Sequence, residues 1–325
     1  KLTSNNWISI PAAFLYAISP VTIAAVSSGH IGTLVLLIFL PIVALILHNW
    51  WGIEKYSWRK IFAVSLLFSV LYAFTLMAFV IALVASLVIT LENFKEYSST
   101  HDKSVWFDRI KKRSALVFVP FLVNAPYSFE AMINPSRLLT EPGLRIPGGG
   151  SLAVLSGNPG GLGALPLWLI SPILLVLLIS LFSSTHARGI AEYGIGALTL
   201  AVFFGSLSIS TRGNEGSAKV WTGPMLSIVT LAAVAAGTVL LDSLRQTLIL
   251  SHIHYRHGLA AILIFITTTY AVLAVGYCLT SGANSAVQAN RATVMPAFLS
   301  VETDTKILVL REIGNTEEKK IQYYI

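Results

Sequence analysis

Charged residues are expelled from a series of long apolar runs, and no other feature of this sequence restricts its fold so severely. No Asp, Glu, Lys or Arg occurs in 61–90, 114–129, 164–185, 193–211, 220–241 or 258–290. Roughly 20 apolar residues in a helix cross a hydrocarbon core of about 30 Å. Helices suit that medium because every backbone N–H and C=O must pair internally where there is no water. The runs therefore predict an all-α polytopic integral membrane protein with about 8 transmembrane helices. A multi-span domain is expected over 1–280 and an extracytoplasmic tail over 281–325.

Composition agrees, with 55% hydrophobic residues, 11% charged and a mean hydropathy of +0.74, where soluble domains carry about 25% charged residues. The formal charge of +7 does not indicate nucleic acid. Its Lys and Arg sit in short segments between apolar runs, where the positive-inside bias and anionic headgroups explain them. Membrane lipids are the expected surroundings. Cys278 is the only cysteine, so no intrachain disulfide forms, and it reads as a small packing residue.

Counting Lys and Arg near the span ends gives an orientation. Segment 92–113 holds Lys95, Lys103, Arg109, Lys111, Lys112 and Arg113 and is placed in the cytoplasm. Alternation from there makes 134–166 and 212–219 extracytoplasmic, 186–188 and 242–257 cytoplasmic, and the tail extracytoplasmic. The expected location is the cytoplasmic membrane. Run 61–90 is about 45 Å long as one helix. A single tilted helix is the expectation, although the basic stretch 49–60 pulls both flanks to one side and a break near 72–75 would satisfy it. Trp50, Trp51, Trp58, Trp106, Trp168 and Trp221 fall near span ends, as an aromatic belt does.

Residues 7–27 contain Pro11 and Pro20 and lack a basic leader, so they do not read as a signal peptide. The sequence is expected to be processed or part of a longer protein. Near the other end, KILVLREI at 306–313 and IQYYI at 321–325 flank a polar turn and predict a β-hairpin. A lone hairpin is marginal in water, so the tail is expected to begin a further domain.

The Gly/Pro-rich loop 134–166 is the main irregular stretch. Its Arg137, Glu141 and Arg145 could meet an anionic or sugar-bearing ligand, or could face water on a plain connector. The GNPGGLG piece at 157–163 lacks the Lys and Ser/Thr of a phosphate loop. No metalloprotease, zinc-finger or α/β-hydrolase motif occurs. His252, His254 and His257 have no adjacent carboxylate or cysteine and read as an interfacial helix rather than a metal site. No cofactor is evident. Glu130 and Glu192 lie at span ends, where a carboxylate needs a partner or a function. Glu130 and Glu141 are the catalytic candidates, Arg137 and Arg145 the substrate-binding ones, and Glu192 is expected to snorkel or pair with Arg188.

Several segments resemble a known family: AISPVTIAAVSSGHIGTLVLLIFLP at 17–41, PSRLLTEPG at 135–143, GNPGGLGALPLW at 157–168, VWTGP at 220–224, and the tail from MPAF at 295. They look like the membrane region of large actinobacterial proteins that join a glycosyltransferase family 2 catalytic domain to a multi-span C-terminal half. The spans are also reminiscent of GT-C-type polyprenyl-phosphate-dependent glycosyltransferases, without the acidic first extracytoplasmic loop of those enzymes. The resemblance implies cell-envelope polysaccharide or glycolipid synthesis with polyprenyl-linked sugars, and a family 2 glycosyltransferase catalytic domain as partner. It carries over no catalytic residue. A lipid or solute transporter, or a noncatalytic membrane scaffold, is the alternative.

Overall fold

The computed structural model describes residues 6–49, 53–100, 103–134, 139, 141, 150–160, 167–183, 185–210, 217–249, 265, 268–273, 275–277, 279–280, 309–313 and 320–324. Two compact units are present, Lys1–Gln288 and Ala289–Ile325. The first is helical. Its elements are α1 (Asn6–Ala17), α2 (Pro20–Ser28), α3 (Ile31–Asn49), a 3-10 turn (Ile53–Lys55), α4 (Trp58–Phe74), α5 (Met77–Thr100), α6 (Lys103–Val123), α7 (Tyr127–Ile133), α8 (Ser151–Leu155), α9 (Leu167–Leu181) and α10 (Thr185–Ser206). A small antiparallel pair, β1 (Ser208–Ser210) and β2 (Ser217–Lys219), leads into α11 (Gly223–Ile249). In the second unit β3 (Val309–Ile313) and β4 (Lys320–Tyr324) form the expected hairpin, with Val309 opposite Tyr324 and Ile313 opposite Lys320.

Among the described residues, three helical stretches are long and apolar enough to cross a bilayer: Trp7–Ser28, His186–Ser206 and Gly223–Ser243. A fourth candidate is the pair Ser104–Val123 and Tyr127–Ile133, bent by 99°. The run 114–129 is thus not one straight helix. Asn124 holds the corner by donating from Nδ2 to Ser69 O (2.9 Å) and Pro120 O (2.8 Å). Shorter apolar helices are Ile31–Ile46, Met77–Leu91 and Ser171–Leu181. Large apolar side chains such as Leu175, Leu178, Phe182 and Phe203 lie exposed on their outer faces. An aqueous protein rarely tolerates so much uncovered apolar surface, whereas a lipid-facing bundle requires it.

The single helix expected over 61–90 is not formed. α4 ends at Phe74, Thr75 is extended, and α5 begins two residues later. Two sets of contacts fix the directions. Phe79 packs on Phe121 and Phe94 on Trp106, so α5 and α6 are antiparallel. Ser65 reaches Ala115 O and Asn124 reaches Ser69 O, so α4 and α6 advance together. Hence α4 and α5 run in opposite senses. The positive-inside bias explains this outcome, because a reversal lets the basic stretches before α4 and after α5 share one side.

Helices α9, α10 and α11 pack closely through small residues, as membrane helices do when dispersion replaces the hydrophobic effect. A Cβ on Gly194 would lie 2.8 Å from Ala232 Cβ and 2.9 Å from Leu177 Cδ2. One on Gly205 would lie 2.8 Å from Val154 Cγ2 of α8. The core there is Val154, Leu177, Ala191, Met225, Leu226 and Val229.

Candidate functional site

The turn between α2 and α3 is specified locally. Ser19 caps α2, with Oγ accepting from Thr22 N, and Pro20 occupies the first turn. Gly29 ends the helix in the left-handed region at φ 69°, and His30 N reaches back to Ala25 O at 2.9 Å. His30 then starts α3, its carbonyl accepting from Leu34 N. The left-handed residue between two helices aims the imidazole inward, where it is buried.

Four side chains from three distant segments meet there. His30 Nδ1 lies 3.3 Å from Glu141 Oε2, and both side chains are only 4% exposed. Thr33 Oγ1 donates to Glu141 Oε1. Trp221 Nε1 donates to Thr33 Oγ1 at 2.9 Å. The indole of Trp221 stacks on the His30 ring, with centroids 3.6 Å apart and planes 13° from parallel. A carboxylate only accepts hydrogen bonds, and Nδ1 is the ring nitrogen that faces it.

Two glycines allow the approach. A Cβ on Gly32 would lie 2.6 Å from Phe74 O and 3.2 Å from Glu141 Cδ. One on Gly223 would lie 2.3 Å from Trp221 Nε1 and 2.8 Å from Thr33 Oγ1. These contacts bring together the first turn of α3, the last carbonyl of α4 at Phe74, and the start of α11. The starts of α3 and α11 carry partial positive charge, which offsets part of the cost of burying a carboxylate, whereas the α4 carbonyl does not.

Hydrogen-bond accounting is incomplete around this knot. Among the described residues, Ser28 Oγ, His30 Nε2, Thr75 Oγ1, Glu141 Oε2 and Thr222 Oγ1 are buried and make no hydrogen bond. Oε2 has only the 3.3 Å approach of His30 Nδ1. Thr75 accepts from Ala78 N, and Thr222 from Met225 N and Leu226 N, through their carbonyls. Their hydroxyls are thus left over at helix starts, where such hydroxyls normally cap. Buried polar groups rarely stay unmet. The separate cavity lined by Pro20, Val21, Ile173, Leu226 and Thr230 holds about 10 Å³, the room of about one water.

The structure separates the candidate residues. Glu141 is in the knot and does not face water as a connector residue would. Glu130, on the short α7, is exposed. Glu192 pairs with Arg188 Nε at 2.9 Å, one helical turn away on α10, with both side chains more than half exposed. Arg137, Arg145, Cys278, His252, His254 and His257 lie outside the described residues. Trp221 is corrected from a belt residue to a buried one, 4% exposed. No group of His, Cys, Asp and Glu able to hold a metal occurs among the described residues. His30 and Thr33 escape notice in the sequence because they sit in an apolar stretch with no motif. The available signal is a histidine directly after Ser-Gly in a segment otherwise free of ionisable groups. No protein-family model, curated protein or solved structure matches the chain.

Proposed function

We propose that this chain is the membrane part of a glycosyltransferase system acting in cell-envelope polysaccharide or glycolipid synthesis, with polyprenyl-linked intermediates. Its helices make about eight crossings of the cytoplasmic membrane, with loop 134–166 and the C-terminal tail outside. The observation that carries the reading is the burial of Glu141 against His30 among helix starts. Ionisable groups held at membrane depth are costly and mark functional sites, and a carboxylate with an oriented imidazole is the arrangement that moves protons to and from hydroxyls. The segments bearing His30, Glu141 and Trp221 are also among those that carry the family resemblance. Glu141 replaces Glu130 as the favoured acid or base, and Arg137 and Arg145 remain proposed for the donor.

The test is turnover of a polyprenyl-phosphate sugar by membranes containing the chain, alone and with a family 2 glycosyltransferase domain. Turnover is expected to fall at least about 100-fold in Glu141→Gln, at unchanged protein level. Undiminished products in that variant would remove Glu141 from the chemistry. A transporter is the second reading, favoured by the interruptions at Thr75 and between α6 and α7, since broken helices line substrate paths in many carriers. Substrate uptake into vesicles without glycan synthesis would select it.

A further inference from the structure

Helix α4 has two unlike faces. Ile61, Ser65, Phe68, Leu71 and Tyr72 are buried, and Phe68, Leu71 and Tyr72 share a cluster with Val117 and Phe121 of α6. On the outer side Trp58, Phe62, Leu66, Val70 and Phe74 follow one another at every fourth position, each between 41% and 56% exposed. Side chains so spaced stack into one ridge, which here extends about 24 Å. The ridge ends in cations. Arg59 and Lys60 stand exposed in the first turn, and Lys55 is exposed on the 3-10 turn just before it. Ile53 seats that turn, buried together with Ile61 of α4 and Leu116 of α6, so packing fixes its place beside the helix. Among the described residues no carboxylate pairs with any of the three cations. The first turn of α4 holds no acid, and Ser57 gives it no side-chain cap. Two cations therefore share the positive end of the helix dipole, an arrangement that an external anion relieves.

We infer that the foot and outer ridge of α4 bind one anionic phospholipid, with its phosphate at Lys55, Arg59 and Lys60 and an acyl chain along the ridge. Charge complementarity selects the headgroup, because Lys and Arg meet phosphate oxygens through charge-assisted hydrogen bonds. The apolar continuation selects a lipid over a free anion. One leaflet makes up about half of a 30 Å hydrocarbon core, so a chain that starts beside Arg59 lies against the ridge for its whole depth. Trp58, at the cationic end of the ridge, occupies the interfacial level that indoles favour. Helix α9 supplies the contrast: it exposes Leu175, Leu178 and Ile179, but its sequence carries no charge, so lipid meets it through chains alone. The site requires a bilayer and is independent of the glycosyltransferase reading.

The test purifies the full chain from bilayers that mix dioleoyl phosphatidylglycerol with dioleoyl phosphatidylcholine, and counts the lipid it retains by native mass spectrometry. Phosphatidylglycerol is expected to be retained in preference. Each Lys or Arg near a headgroup contributes about fivefold in affinity, so Arg59→Gln should lower the preference by about that factor. Adding Lys55→Gln and Lys60→Gln should bring the loss to roughly 100-fold. The pair Arg59→Lys and Lys60→Arg keeps the charge and is expected to keep the lipid, which controls for folding. Arg245→Gln, at an exposed cation on α11, is expected to leave the preference unchanged. Dioctanoyl phosphatidylglycerol, whose chains cover only part of the ridge, is expected to bind more weakly, and inorganic phosphate is expected not to displace either lipid. Four results would overturn the site. No preference for phosphatidylglycerol would leave unselected surrounding lipid only, and an equal loss in Arg245→Gln would mean diffuse attraction by net charge. Equal retention of the two chain lengths would remove the ridge, and displacement by inorganic phosphate would make the foot a site for free anions.

Discussion

Two nitrogen–carboxylate contacts show how differently the same pairing is used in two regions. On α10, Arg188 and Glu192 approach to 2.9 Å with side chains 62% and 56% exposed. At the start of α3, His30 and Glu141 stand farther apart, at 3.3 Å, with side chains 4% exposed. Distance alone would rank the first pair higher. Exposure reverses the order, because water screens the α10 pair while the buried carboxylate depends on whatever surrounds it. The teaching is that the longer contact is the one the fold has been arranged around, with an indole, a threonine and two glycines placed to support it.

The largest expected effect comes from removing that support. Trp221→Ala deletes a buried ring that stacks on His30 and donates to Thr33, and should cost about 3–5 kcal/mol. Reversible unfolding in detergent measures it, and a loss as small as that of an exposed residue would erase the contrast. Gly223→Ala comes next. Its new Cβ meets the Trp221 ring and Thr33 Oγ1, so overpacking should cost about 1–3 kcal/mol. Gly196→Ala on α10 meets nothing within 4 Å and should instead stabilise by up to about 1 kcal/mol. The two alanines give opposite signs if the crowding is confined to the knot. Smallest is the α10 pair: a double-mutant cycle over Arg188→Gln and Glu192→Gln should return no more than about 0.5 kcal/mol, shrinking with salt. A larger coupling there would mean that the helix surface is less solvated than its exposure indicates.

The sequence makes membrane character legible because exclusion of charge is a property of whole segments, and it survives uncertainty about any one residue. The hairpin at 309–313 and 320–324 is legible for a similar reason, from β-rich runs around a polar turn. The reversal at Thr75 is legible only in part. Hydropathy runs unbroken through Phe74, Thr75 and Leu76, and just the basic flanks hint that both ends belong on one side. The knot is least legible. Glu141 looks like any loop acid, Thr33 like a helix residue and Trp221 like a belt residue, since their meeting depends on contacts across 108 and 188 residues of sequence. Long-range pairing of this kind leaves no periodic trace.

The reversal between α4 and α5 ties a basic helix foot to the polar knot. α4 is 17 residues long, a strut of about 25 Å. Arg59 and Lys60 stand exposed at its foot, and Phe74 O bears on the Gly32 position at its head. Because a helix is stiff along its axis, a displacement at Arg59 and Lys60 is passed to the carbonyl against which the first turn of α3 is seated, and the polar knot is where it arrives.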